Sequence, residues 1–232
     1  MKKFFTLIAT VAIATSMNAQ GTYAVQEGDN VKAGDQITSV ENITLTYMEK
    51  DGTAYAAVKK QTNWADADFN AYVCGKNNGK LVSGAEPTGC VYKFETAKAG
   101  VLTVGVQLNG NKGFHILDAE FAEVAPASYD LPAAKDGDSQ EFTENEKGEN
   151  IIGAKSNGTV TFSVAEGGTY YVLAAGTKMG FFGFKYEAGT STGISSIEVA
   201  SAQHGKTYNM AGQLVSGSFK GLVIKNGKKF VK

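Results

Sequence analysis

The chain has 232 residues, with 22 basic and 23 acidic side chains and a formal net charge of −1. Every basic residue is lysine, and glycine is frequent at 28 residues. Because nucleic-acid recognition depends on basic surfaces and on the bidentate arginine side chain, this composition argues against a nucleic-acid partner. With 43% hydrophobic residues, the chain is also too apolar to be disordered throughout.

Residues 1–19 have the pattern of a secretory signal peptide. A positive start is followed by the apolar residues 4–14 and by the small residues 16–19, which precede a cleavage point. The apolar run is too short to cross a bilayer, which needs about 20 residues, and no other segment is apolar enough. We therefore expect a protein without a transmembrane segment that is secreted, starts at Gln20 or Gly21, and is extracellular or on the outer cell surface.

Cys74 and Cys90 are the only two cysteines. Export would place them in an oxidising compartment, where an even number of cysteines indicates a disulfide. The glycine-rich residues between them form a predicted long turn, and closing it would add about 3 kcal/mol in the chain-entropy model. The alternative is that both remain thiols. No histidine lies near them in sequence, so the pair does not indicate a zinc site.

Residues 20–188 show the alternation of apolar and polar residues that is typical of half-buried strands. We predict an all-β fold for this segment, an antiparallel two-sheet β-sandwich of jelly-roll type. The predicted apolar faces are Ile43, Leu45 and Tyr47; Leu102, Val104, Val106 and Leu108; Val160, Phe162 and Val164; and Phe182, Phe184 and Tyr186.

Residues 100–117 and 158–173 resemble each other. Each begins with a glycine and an alternating strand containing Thr103 or Thr161, continues through a glycine-rich turn, and returns as an apolar strand. The pattern predicts two related hairpins, which fit a jelly roll. Convergence of two unrelated hairpins on a similar composition is the alternative.

The end of the chain has a separate β pattern. Residues 189–193 form a predicted small-residue linker, and residues 194–232 a short β segment in which Asn226-Gly227 predicts a type I′ hairpin. The stretches YNMAGQLV, KGLVIKNGKK and the final FVK resemble the C-terminal sorting segments of proteins exported through the type IX (Por) secretion system. The resemblance implies recognition by the secretion machinery. A small β appendage that completes a sheet of the main body is the alternative.

The stretches GVLTVGVQLNGNKGFHIL and GGTYYVLAAGTKMGFFGFKYE also carry a resemblance. They are similar to a β-sandwich module of secreted bacterial proteins that is found beside polysaccharide lyases and other glycan-active domains. The resemblance implies a sandwich that is associated with extracellular glycans. It implies no catalytic residue.

The residues show no nucleophilic catalytic constellation. Residues 189–193 match the pattern G-x-S-x-G but lie in the linker, without the strand and helix that a nucleophile elbow requires. His115 and His204 lie in different segments, and neither has an evident catalytic partner in sequence. The absence of arginine also argues against β-elimination enzymes that use an arginine base.

Carboxylates leave two further alternatives open. Asp66 and Asp68 would share one face if their segment were a strand, so a small glycan-active enzyme with an acid pair is one alternative function. Asp136 and Asp138 could bind a structural calcium ion. We otherwise expect no enzymatic activity, no metal and no cofactor.

Binding is the remaining function, and aromatic residues are its best candidates. Aromatic faces stack on the apolar C–H faces of sugar rings, while amides and carboxylates bind the hydroxyl groups. We therefore predict a secreted, non-catalytic protein that binds or is associated with extracellular glycans. A surface structural or adhesin-like protein with a protein partner is the main alternative. The predicted ligand-binding residues are Trp64, Asp66, Asp68, Asn70, Tyr72 and Phe181, the last because it should point away from Phe182, Phe184 and Tyr186.

Overall fold

The computed structural model describes residues 20–49, 53–60, 64, 66, 68–132, 139–189, 207–209, 222–225 and 228–231. Within these ranges, all the regular secondary structure consists of β-strands. The described residues include no helix that is long and apolar enough to cross a membrane. The chain divides into two units, residues 1–190 and 191–232. The predicted signal peptide lies outside the described residues, as does nearly all of the predicted linker.

The strands, in chain order, are β1 (Gln20–Ala24), β2 (Gln36–Ile37), β3 (Ile43–Met48), β4 (Ala56–Lys60), β5 (Ala71–Cys74), β6 (Lys80–Val82), β7 (Ala85–Thr88), β8 (Val91–Thr96), β9 (Gly100–Leu108), β10 (Phe114–Leu117), β11 (Ser128–Asp130), β12 (Thr143–Glu144), β13 (Asn150–Ile151), β14 (Ser156–Val164), β15 (Thr169–Ala174), β16 (Gly180–Ala188), β17 (Thr207–Asn209), β18 (Leu222–Lys225) and β19 (Lys228–Val231).

Two seven-stranded antiparallel sheets form the first unit, which confirms the predicted β-sandwich. The first sheet has the order β11-β14-β9-β16-β5-β4, and β1 also pairs with β16. The second sheet has the order β12-β13-β10-β15-β8-β3-β2. Strands β6 and β7 form a separate two-stranded hairpin between β5 and β8.

The core lies between the inner faces of the two sheets, as the alternation predicts. Leu102, Val104 and Val106 of β9 are fully buried, and so are Val160 and Phe162 of β14. In the second sheet, buried and half-buried residues alternate along β3, as expected for a strand with one face toward the core. Aromatic rings join the two sheets across this core.

The predicted hairpins are wrong, because the strands of each one lie in different sheets. Strand β9 pairs along its whole length with β14, and β10 pairs with β15. The two similar segments therefore pair with each other, strand against strand, and each crosses from one sheet to the other through its turn. This arrangement lets the apolar faces of both strands in a segment meet across the core, whereas a hairpin would place them side by side in one sheet.

Strand β16 contains a bulge that the alternation did not predict. Its register with β9 shifts between Phe181 and Gly183, and Gly183 has a φ of 135°. The extra residue reverses the orientation of the preceding side chains, so Phe181 joins Phe184 and Tyr186 in the core cluster and Phe182 points to the outer face. The prediction that Phe182 shares the inner face is therefore wrong.

The second unit contains a three-stranded antiparallel sheet of β17, β18 and β19. Strands β18 and β19 pair from Leu222 with Val231 to Lys225 with Lys228, which confirms the predicted hairpin around residues 226–227.

Candidate functional site

Four aromatic rings lie together on the outer face of the first sheet. The indole of Trp64 packs edge-on against Phe182, with ring centroids 5.0 Å apart, and lies 6.0 Å from the ring of Phe69. Tyr72 lies 5.1 Å from Phe182. Phe69 and Phe182 are fully buried, whereas Trp64 and Tyr72 are half-buried and keep part of their surface accessible. We call Trp64, Phe69, Tyr72 and Phe182 the aromatic patch.

Two glycines of the first sheet leave room for these rings. A Cβ atom on Gly105 would lie 2.9 Å from both Phe182 Cβ and Phe69 Cδ2, and one on Gly180 would lie 2.9 Å from Tyr72 Cδ2. Ordinary side chains do not pack that closely, so the aromatic patch needs glycine at both positions. Gly105 lies between two core residues of β9, which places it on the outer face.

Charged side chains lie beside Phe69 of the aromatic patch. Lys185 Nζ of β16 lies 2.8 Å from Asp68 Oδ2, 3.7 Å from Asp66 Oδ1, and 5.1 Å from the ring centroid of Phe69. Asp66 Oδ1 also accepts hydrogen bonds from the backbone N–H groups of Asp68 and Phe69, at 2.8 and 3.1 Å. Asn70 is exposed in the same segment. The structure therefore brings Asp66 and Asp68 together on one lysine, which also lies over Phe69 of the aromatic patch that contains Trp64 and Tyr72.

The two carboxylates keep Lys185 charged. Partial burial alone would lower the pKa of Lys185, but the hydrogen bond to Asp68 and the negative charges of both aspartates outweigh it and raise that pKa above its usual value.

Phe181 does not belong to this surface, and its prediction as a ligand-binding residue is wrong. It is fully buried in the core, where its ring stacks on Tyr92 with centroids 4.5 Å apart. The bulge in β16 is the cause, because it gives the outer position to Phe182 instead.

The two cysteines lie next to each other at the edge of the core. Both side chains are thiols in the structure, with Cys90 buried and Cys74 half-buried. The Cys90 sulfur accepts a hydrogen bond from the backbone N–H of Gly75 at 3.3 Å and lies 3.4 Å from the carbonyl oxygen of Met179. The disulfide between Cys74 and Cys90 stays a prediction.

A cleft of about 610 Å³ lies beside the β6–β7 hairpin. Glu49 closes one side, where its carboxylate accepts hydrogen bonds from the backbone N–H and the side-chain amide of Asn77, at 2.9 and 2.7 Å. Glu86 lies on another side and accepts a hydrogen bond from Tyr171 Oη at 3.0 Å. Burial, together with this bond, raises the pKa of Tyr171 to about 12. No sequence motif indicated this cleft.

His115 is the one buried histidine in the described residues and has acidic neighbours that the sequence did not reveal. Its Nδ1 lies 2.5 Å from Glu123 Oε1, and its Nε2 lies 3.8 Å from Glu149 Oε1. Nε2 is buried and has no hydrogen-bond partner. Glu123 follows β10 in a tight turn, whereas Glu149 is more distant in sequence, so pattern reasoning could not bring all three together.

Within the described residues, no group of three or more histidine, cysteine, aspartate or glutamate side chains could hold a metal ion. Asp136 and Asp138, the candidate calcium ligands, lie outside the described residues, as does His204.

No protein-family model and no curated protein matches this sequence.

Proposed function

We propose that this chain is a secreted, non-catalytic β-sandwich protein that binds extracellular glycans through the aromatic patch. The observation that carries the proposal is the position of Trp64 and Tyr72, which are partly accessible on the outer face of a sheet and rest on two buried phenylalanines. An aromatic ring that is held from behind by other rings can present an accessible face without losing its orientation.

The polar residues beside Phe69 of the patch favour recognition of hydroxyl groups. Asp68 and Asn70 are exposed, and Asp68 is held by Lys185. A carboxylate accepts hydrogen bonds, and an amide both donates and accepts them, so together they match the mixed donors and acceptors of a sugar. Because both aspartates are engaged by the same lysine, the arrangement favours binding over acid–base catalysis by this pair.

Export is part of the proposal. Cleavage after Ala19 would make Gln20 the first residue, and Gln20 lies in β1, where it pairs with Glu187 of β16. The cleaved chain would thus start with a strand of the first sheet. The resemblance of residues 208–232 to sorting segments supports recognition of the tail by the type IX secretion machinery.

A glycan array with the mature chain tests the binding proposal. We expect binding to at least one polysaccharide, a loss of at least tenfold for Trp64→Ala, and no change for Val101→Ala. Val101 is a matched control, because it is an exposed apolar residue of the first sheet outside the aromatic patch. Failure of the mature protein to bind any polysaccharide would overturn the proposal.

A second candidate function is binding of a protein partner at the outer surface. It is favoured by Leu81 and Val82, adjacent residues of β6 whose side chains are 42% and 40% exposed. Neighbouring exposed apolar residues are typical of interaction surfaces. In a pull-down from outer-membrane extract, a specific partner that is lost in the Leu81→Ser, Val82→Ser double variant would support this function. Recovery of the same proteins by both forms would exclude it.

A further inference from the structure

The residues between the two cysteines form most of the cleft wall. Met48 and Glu49 come from the end of β3 and the residue after it, and every other residue that lines the cleft lies between Cys74 and Cys90 in sequence. That segment contains the β6–β7 hairpin. Whatever fixes the two ends of the segment therefore also fixes the shape of the cleft.

The fold brings these two ends together from different sheets. Cys74 is the last residue of β5 in the first sheet, and Cys90 immediately precedes β8 in the second. Met179, whose carbonyl oxygen lies 3.4 Å from the Cys90 sulfur, is followed by Gly180, which pairs with Cys74. The two thiols are close enough for a side-chain hydrogen bond.

Gly75 makes this approach sterically feasible. A Cβ atom at Gly75 would lie 2.8 Å from Cys90 Cβ and 2.9 Å from Cys90 Sγ, closer than side chains pack. Because Gly75 has no side chain, the side chain of Cys90 can occupy the space beside the backbone that follows Cys74.

We propose that Cys74 and Cys90 are a modification site, at which a disulfide-bearing oxidant forms a bond that joins β5 of the first sheet to β8 of the second and fixes the cleft wall between them. The proposal does not depend on the aromatic patch, which lies on the outer face of the first sheet.

The chemistry is two thiol–disulfide exchanges. The half-buried Cys74 thiolate attacks one sulfur of the oxidant, forms a mixed disulfide and releases the first thiol of the oxidant. The Cys90 thiolate then attacks the Cys74 sulfur, forms the Cys74–Cys90 bond and releases the second thiol. The two cysteines lose two protons and two electrons, and the oxidant disulfide is reduced to two thiols.

The environment of Cys90 favours its thiolate. In the reduced protein, the side-chain hydrogen bond with Cys74 and the hydrogen bond from the Gly75 N–H outweigh the effect of burial and lower the pKa of the Cys90 thiol. The Gly75 N–H takes no part in the exchange, so it can still donate to the Cys90 sulfur once Cys74 is in the mixed disulfide, and a thiolate is the nucleophile in the second step.

Thiol titration of the mature protein tests the proposal directly. After incubation with oxidised glutathione, the unfolded protein should have no titratable thiol, a mass about 2 Da below the reduced form, and two thiols once a reductant is added. Two titratable thiols after oxidation, glutathione adducts that persist, or a disulfide between two chains would overturn the proposal.

Proteolysis tests the effect on the cleft. A lysine-specific protease should cut the oxidised wild type after Lys76 or Lys80 at least several times more slowly than the reduced wild type, because the bond restrains the enclosed segment. The Cys74→Ser variant should be cut at the same rate with and without reductant. Reduction should also lower the melting temperature of the wild type by roughly 6–12 °C. Equal cleavage rates for oxidised and reduced wild type would show that the bond does not fix the cleft wall.

Discussion

Thr103 and Thr161 occupy the same place in two similar segments of the chain, and their side-chain oxygens lie 2.9 Å apart in a hydrogen bond. They are directly opposite in the pairing of β9 with β14. The same pairing continues in the other sheet, where β10 lies beside β15. The sandwich is thus built around two related segments that pair with each other in both sheets.

The hydrogen bond between these threonines should make a measurable contribution to stability. In a double-mutant cycle with Thr103→Val and Thr161→Val, we expect a coupling of about 0.2–1 kcal/mol in the free energy of unfolding. Urea denaturation of the wild type, both single variants and the double variant measures this coupling. A coupling of zero would mean that the pair adds nothing beyond the backbone ladder.

The two phenylalanines at the bulge should differ in role. Phe181→Ala removes a ring from the core and should cost about 3–5 kcal/mol in the free energy of unfolding. Phe182→Ala removes the ring against which Trp64, the only tryptophan, packs. It should therefore also shift the fluorescence emission of Trp64 to longer wavelength. Denaturation and emission spectra of the two variants check this difference. The placement of the bulge would be contradicted if Phe181→Ala shifted the emission of the folded protein to longer wavelength and Phe182→Ala did not.

This bulge marks the limit of what alternation can predict. The inner faces of β3, β9 and β14 follow from a strict period of two, and the structure confirms them. In β16 one inserted residue reverses the pattern, and Gly183 is the only local indication of it, since a glycine within a strand often marks a bulge. The alternation of apolar and polar residues also does not predict which strands pair. A hairpin turn and a connection that crosses between sheets have similar glycine-rich sequences.

The candidate site was only partly predictable, for a related reason. Trp64, Asp66, Asp68 and Tyr72 were found because they are close in sequence. Lys185 holds both aspartates but comes from a strand more than a hundred residues later, and the acidic neighbours of His115 were missed in the same way. Contacts of this kind depend on the order of the strands in the sheets, which the composition and the two-residue alternation of the sequence do not reveal.

Gly183 should be more sensitive to substitution than a glycine in an open turn. An added Cβ at Gly183 would lie 2.1 Å from Tyr23 O in β1, and its φ of 135° is unfavourable for other residues. We expect Gly183→Ala to cost at least about 3 kcal/mol, from the strain and the lost pairing of β1. Gly176→Ala is the matched control, because Gly176 has a φ of 70° but no atom within 4 Å of the added Cβ. It should cost about 1–2 kcal/mol. Equal losses of stability in urea denaturation would contradict the close approach of β1.

Stability should fall at alkaline pH. Burial raises the pKa of Tyr92 well above its usual value, and burial with the hydrogen bond to Glu86 raises the pKa of Tyr171 to about 12. Above pH 10 the unfolded chain therefore binds fewer protons than the folded one, so the free energy of unfolding should decrease as the pH rises from about 10 to 12. Denaturation midpoints across this range measure the decrease, and Tyr171→Phe should reduce its slope. A constant midpoint for the wild type would contradict the burial of these phenols.

Native affinity electrophoresis tests the central claim most directly. The mature wild type, Trp64→Ala, Tyr72→Ala and Val101→Ala would be run through gels that contain neutral, acidic or amino polysaccharides. We predict that at least one polysaccharide retards the wild type and Val101→Ala to the same extent, and that both aromatic variants migrate as they do in a gel without polysaccharide. Equal retardation of all four proteins, or retardation of none, would contradict glycan binding by the aromatic patch.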